Sequence, residues 1–217
     1  MLKKQHIELL KNIHNAGWKS AVIAGGIIRD TFCKKKYKDV DIFLFDPKIS
    51  NETPYVSANI SETIKKMGII PHNEEFTLKQ NDATTYNYTN TTRNTATNTV
   101  TNMITDVWTI EKDFDIIQLI TVKVPPIEYV TKFFDIGLCM CYFDGIKVRL
   151  THEFLNDYNN KTLTICGQLS KYDFQKTVYR HLKTIKFKYP EFKICVAPHL
   201  EQYLSSKTIN FINKLNR

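Results

Sequence analysis

The chain has 217 residues, 42% hydrophobic and 24% charged, which excludes a wholly disordered polymer and provides an ordinary core without a disulfide or metal staple. Thirty basic against 22 acidic side chains leave a net charge of +8, a surplus that favours a polyanionic partner, nucleic acid or a nucleotide phosphate. No apolar run approaches the ~20 residues that span a bilayer, and five scattered cysteines without a C-x-x-C pair argue against zinc and against a disulfide framework, so no membrane partner and a reducing cytoplasm are expected.

Residues 2–16 place Leu2, Ile7, Leu10 and Ile13 at near-helical spacing, which predicts an amphipathic opening helix stopped at Gly17. Residues 21–24 have the length and composition of a short buried strand. Gly25-Gly26 punctuates it, and a helical pattern restarts over 27–34. A lysine-rich turn then leads into a second strand over 40–45, closed by Asp46-Pro47. Another helix is expected over 57–68. Between Asn81 and Asn102, Thr and Asn fill 15 of 22 positions, so the segment reads as a mobile insertion or a poorly ordered hairpin tip. Residues 104–110 and 114–121 form a hairpin around Glu111-Lys112-Asp113, and a short helix follows Pro125-Pro126 over 127–133. Residues 137–142 suit either a strand or a buried helix. From Ser170 onward the pattern is helical and rich in lysine and aromatics.

The stretch from Ala21 to Phe45 combines three features that need one another. Gly25 and Gly26, lacking Cβ atoms, let backbone N–H groups approach a phosphate where a helix begins. Arg29, one turn into that helix, carries the fork of donors suited to clamp it. Asp39 and Asp41 lie two apart on the next strand, so both carboxylates project from one face, roughly 7 Å apart along the chain. Two such acids in an apolar strand repel one another and are costly to desolvate. A hard divalent cation, Mg²⁺ with Mn²⁺ as the alternative, resolves that conflict.

Gly25-Gly26-Ile27-Ile28-Arg29-Asp30 followed by Asp39-Val40-Asp41 resembles the head domain of class II tRNA nucleotidyltransferases (CCA-adding enzymes) and of bacterial poly(A) polymerases. These belong to the DNA polymerase β-like nucleotidyltransferase superfamily. Three later segments are similar to family motifs: Asp135 to Tyr142 to a segment of the type DFTINALAY, Asp157 to Thr164 to D-L-x-N-R-x-I-R, and Arg180 to Phe187 to an Arg-rich helix. The resemblance implies an α+β fold, a small mixed sheet flanked by helices, with a catalytic domain over 1–169 and a basic helical extension over 170–217. It implies transfer of a nucleoside monophosphate from an NTP to an acceptor hydroxyl, with Asp39 and Asp41 as metal ligands. Gly25, Gly26 and Arg29 become triphosphate contacts, Asp30 orients its neighbours, and Lys132, Asp135 and Arg180 contact nucleotide. A third carboxylate is common on the strand beside the D-x-D strand; Asp115 is the candidate and Asp113 its competitor.

The sequence also departs from the family. Lys132 is the single cation where the family opens its second motif with two arginines, and Cys139 stands at an asparagine position. Arg180 matches the arginine of the base-selecting E-D-x-x-R only if Lys176-Thr177 replaces the acidic pair. Arg180, Lys183 and Lys186 recur every third residue, so they share a helix face that reads as a phosphate-tracking surface for RNA or triphosphate. The leading expectation is a Mg²⁺-dependent nucleotidyltransferase acting on an RNA 3′ end, with a protein hydroxyl as alternative acceptor; a catalytically silent nucleotide- or RNA-binding module is the rival. The abundance of Asn, Lys and Ile suggests an AT-rich genome, and small stand-alone versions of this head domain look viral or phage-like.

Overall fold

The computed structural model describes residues 2–46, 64–66, 77–81, 91–94, 99–112 and 115–217. The chain folds as two compact units that interleave in sequence. The first contains 1–89, 103–130 and 142–149; the second contains 90–102, 131–141 and 150–217.

The first unit is built on a mixed seven-stranded sheet in the order β3-β6-β7-β2-β1-β8-β9. Its strands are β1 (Val22–Ala24), β2 (Val40–Phe45), β3 (Thr77–Asn81), β6 (Ile104–Lys112), β7 (Asp115–Val122), β8 (Cys141–Phe143) and β9 (Val148–Leu150). β2 runs parallel to β7 and antiparallel to β1, while β6 and β7 form the expected antiparallel hairpin. β2 is a continuous apolar run apart from Asp41, and its first five residues are all buried, as a strand covered on both faces requires. The opening helix α1 (Lys4–Asn15) buries His6, Leu9, Leu10 and Ile13. Ile7, placed on the buried face by sequence, is 39% exposed, because the packed stripe is shifted to take in His6 and Leu9. Gly17 follows α1 at φ 112°, a left-handed conformation that favours glycine. Helix α2 (Gly26–Phe32) connects β1 to the turn before β2. Of the helix expected over 57–68, only 64–66 are described, and they are helical; the rest lies outside the described residues.

In the second unit the Thr/Asn-rich segment contributes an antiparallel ribbon of β4 (Thr91–Asn94) and β5 (Thr99–Asn102). Residues 82–90 and 95–98 lie outside the described residues. The segment expected as strand or helix over 137–142 is neither throughout. A 3₁₀ turn, Gly137–Cys139, precedes strand β8. The turn is held by Asp157, on the helix His152–Asn160, which accepts from Leu138 N at 2.8 Å. A Cβ at Gly137 would lie 2.8 Å from an Asp157 oxygen, so only glycine lets the two segments approach this closely. The region after Ser170 is not helical throughout: β11 (Lys193–Val196) interrupts it to pair in parallel with β10 (Thr162–Ile165). Among the described residues no helix is long and apolar enough to cross a membrane.

Candidate active site

Asp41 sits in the middle of the sheet, between Ala24 of β1 and Gln118 of β7. It is 2% exposed, and its Oδ1 is buried with no hydrogen-bond partner among the described residues. Asp39 lies just before β2, half-buried. Burial, and after it the Asp39 charge, hold the Asp41 carboxyl well above the usual carboxylate range, against the pull of Arg29 and Lys38. Burial also raises Asp39; there Asp30 adds to the rise, while Lys38 and Arg29 oppose it.

A buried acid with an unsatisfied oxygen beside a second acid is what a cation would relieve, so the pair fits a divalent metal by the chemistry of its donors. Among the described residues no group of three His, Cys, Asp or Glu side chains gathers to hold a metal. Asp115 opens β7 opposite Lys112 of β6, and Asp113 lies outside the described residues. The β7 residue level with Asp41 is Gln118, to which sequence reading gave no role; its only signal there is a polar residue inside an aliphatic strand.

The glycine turn stands at the same end of the first unit. Gly25 caps α2 at φ 73° and ψ −129°, a backbone that side-chain-bearing residues rarely adopt. Gly26 is different, since an added Cβ there would meet only the Arg29 Nη2 at 3.7 Å, an ordinary contact. Among the described residues, packing does not demand glycine at 26. Arg29 is buried and donates from Nε to Asp30 Oδ1 at 2.6 Å, so Asp30 fixes the guanidinium in place.

The remaining candidates belong to the second unit. Asp135 accepts from Thr177 Oγ1 at 2.8 Å and pairs with His181 Nδ1 at 2.5 Å. Thr177 and His181 bound a π-helical turn, a widening often found at functional positions. Burial works against both charges of the pair. The His181 charge and the hydrogen bonds nonetheless hold Asp135 below its ordinary value, and the Asp135 charge holds His181 above its own. An acid at 177 would face the Asp135 carboxylate; the threonine there donates to it instead, which accounts for one half of the missing acidic pair. His181 was not legible in the sequence, where the six histidines show no ligand spacing.

Lys132, Arg180 and Lys183 are exposed. The expected basic face is shorter than its spacing suggests, because Lys186 donates to the carbonyls of Pro190 and Phe192 at 2.7 and 2.5 Å and closes the end of the helix Leu182–Lys188.

A family model described as "Gabija anti-defense 2 family protein" (Gad2) matches residues 1–161, three quarters of the chain. The chain belongs to the Gabija anti-defense 2 family. The matched residues include the whole carboxylate corner and Asp135, and stop short of Thr177, Arg180, His181 and Lys183. No curated protein matches this sequence.

Solved structures do match. The Bacillus stearothermophilus CCA-adding enzyme in complex with CTP is 15% identical, with a TM-score of 0.53 over 99% of this chain and 49% of its own. The Thermotoga maritima CCA-adding enzyme complexed with tRNA is 14% identical, with a TM-score of 0.51 over 96% of this chain and 42% of its own. A further CCA-adding enzyme complex with CTP reaches a TM-score of 0.54 at 13% identity, over 99% of this chain and 46% of its own. The chain therefore has the fold of the nucleotidyltransferases, α+β with a mixed sheet, and spans about half the length of the structures it matches.

Proposed function

We propose that this protein is a metal-dependent nucleotidyltransferase that moves a nucleoside monophosphate from an NTP to an acceptor hydroxyl. The observation that carries the reading is the buried, unpartnered oxygen of Asp41 beside Asp39, at the end of the sheet that also bears the Gly25-Gly26 turn and Arg29. Asp39 and Asp41 would hold Mg²⁺ or Mn²⁺. Bound there, such an ion neutralises charge on the nucleotide phosphates and on the oxygens that attack and leave. Arg29, fixed by Asp30, and the glycine turn bind the triphosphate. The acceptor oxygen bonds to the α-phosphorus, its proton passes to solvent, and the bond to the departing pyrophosphate breaks; catalysis rests on positioning and charge neutralisation. Taken by itself, the second unit offers Lys132, Asp135, Arg180 and Lys183 as proposed nucleotide-binding residues.

The acceptor proposed first is an RNA 3′ hydroxyl, in keeping with the basic charge and with the tRNA-bound relative of the same fold. A protein hydroxyl is the second reading, favoured by the family's description as an anti-defense protein.

The test is incubation with each α-labelled NTP, Mg²⁺, and either total RNA or a cell lysate. One NTP should label an RNA or a protein band, and Asp39→Asn or Asp41→Asn should abolish the label. No labelling with any of the four nucleotides, or full labelling by both variants, overturns the enzyme reading. NTP binding without any transfer would instead identify a silent binding module.

A further inference from the structure

The register of the sheet places Gln118 beside Asp41. β2 and β7 are parallel neighbours with Asp41 level with Gln118, and β6 pairs antiparallel with β7 so that Thr109 is level with Gln118. Residues level with one another on adjacent strands share a face of the sheet, and the strands lie about 4.8 Å apart. A row therefore crosses four strands on one face: Ala24, Asp41, Gln118, Thr109. Ala24 offers only a methyl group on one side of Asp41, so the polar neighbour of the carboxylate within the sheet is Gln118.

Gln118 is itself nearly buried, 9% exposed, in a strand where Ile117, Leu119 and Ile120 are core residues. A primary amide in such a strand is unfavourable unless it meets a polar group, and leucine would pack there at no such cost. Asp115 opens β7 three residues before Gln118.

We propose that Gln118 supplies a neutral amide oxygen to the cation held by Asp39 and Asp41, in the place where a third carboxylate would otherwise stand. This rests on the metal-dependent reading above and specifies it further. A site of two carboxylates and one amide carries less negative charge than one of three acids. Bare metal binds it weakly, and the phosphates of the nucleotide contribute the rest of the attraction, so metal and NTP load together.

The experiment measures Mn²⁺ binding to the full chain by electron paramagnetic resonance, with and without NTP, alongside thermal melts of every variant. Wild type should bind bare Mn²⁺ weakly and Mn²⁺ with NTP at least about tenfold more tightly. Q118E should tighten bare Mn²⁺ binding by about tenfold, because ligand charge tunes the affinity of such sites. Q118M, which keeps length and apolar packing but removes the oxygen, should weaken Mn²⁺–NTP binding by about tenfold while melting near wild type. Unchanged Mn²⁺ binding in Q118E and in Q118M overturns the role of Gln118. D41N separates that failure from failure of the broader reading. If D41N loses Mn²⁺ binding while the Gln118 variants do not, the carboxylate site stands and only this inference falls. If D41N binds Mn²⁺ with NTP as well as wild type does, the carboxylate site falls, and this inference with it.

Discussion

Two aspartates, one in each unit, are equally inaccessible to water and are treated in opposite ways. Asp157 is fully buried and every side of its carboxylate is met. Leu138 N and Thr164 N donate to Oδ2 at 2.8 and 2.9 Å, and the hydroxyls of Thr162 and Thr164 donate to Oδ1 at 2.7 and 2.5 Å. Asp41 has a buried oxygen that accepts no hydrogen bond from the described residues, and its charged company includes another acid. A satisfied buried carboxylate organises a fold, here by tying a 3₁₀ turn, a helix and a strand together. An unsatisfied one costs the fold free energy, and that cost is what the proposed cation would relieve.

That contrast can be broken by mutation, and the largest effect is expected at the unsatisfied acid. Asp41→Asn or Asp39→Asn should reduce nucleotidyl transfer at least about 1000-fold, the scale of losing a preorganised charge at the reacting phosphate. The melting temperature should stay level or rise, because a like-charge repulsion disappears. A label-transfer assay paired with a thermal melt reads both, and a large drop in melting temperature for Asp41→Asn would erase the contrast.

Asp157 should behave in the reverse sense. Asp157→Ala strands two backbone and two hydroxyl donors and should cost a few kcal/mol in denaturant melts, since each buried donor left without a partner costs about 1–3 kcal/mol. Bare Mn²⁺ affinity should not change in whatever fraction remains folded.

Arg29 lies between these extremes, since it serves both the fold and the proposed ligand. Arg29→Ala should weaken NTP binding by about tenfold in calorimetry and also destabilise, because buried Asp30 loses the charged Nε–H bond that Arg29 donates to it. Adding Asp30→Asn should recover most of the stability and none of the affinity. Recovery of both would remove Arg29 from the site.

The smallest effect expected is on the pH profile of stability. His181 titrates above its ordinary 6.5 in the fold, so its contribution is complete below 6.5 and is lost as pH rises through the folded value. Asp135 titrates below its ordinary 3.8, so its contribution is present above 3.8 and is lost as pH falls through its folded value. The pair thus stabilises the second unit between these limits. His181→Gln should flatten the alkaline side of the profile above pH 6.5, and an unaltered slope in urea melts at pH 6 and pH 9 would dismiss the pair as a stabilising element.

Much of the first unit was legible because its signals are local. A buried apolar run, two glycines, a short helical pattern and a second apolar run carrying Asp39 and Asp41 dictate strand, turn, helix and strand from neighbours a few residues apart. Alternation by itself predicted one face for both acids, of which Asp41 lies in β2 and Asp39 just before it. Three relationships depend on residues distant in sequence, and periodicity contains no information about them. Gln118 stands beside Asp41 because β7 happens to slide to that register on β2. Asp135 meets His181 and Thr177 only once a widened turn brings them round. Asp157 anchors the 3₁₀ turn at Gly137, whose missing side chain makes the room.

The same limit explains the errors at helix surfaces. Spacing in α1 fits more than one apolar stripe, and packing chose the one that buries His6 and Leu9 over Ile7. Lys186 belongs to the basic face by count but folds back onto carbonyls beyond its own helix. The sequence by itself determined which short elements form and which chemistry they carry, because turn residues and hydrophobic period act over a few positions. Only the tertiary structure decided which side chains stand side by side, because strand register and helix rotation are set by burying the whole core at once.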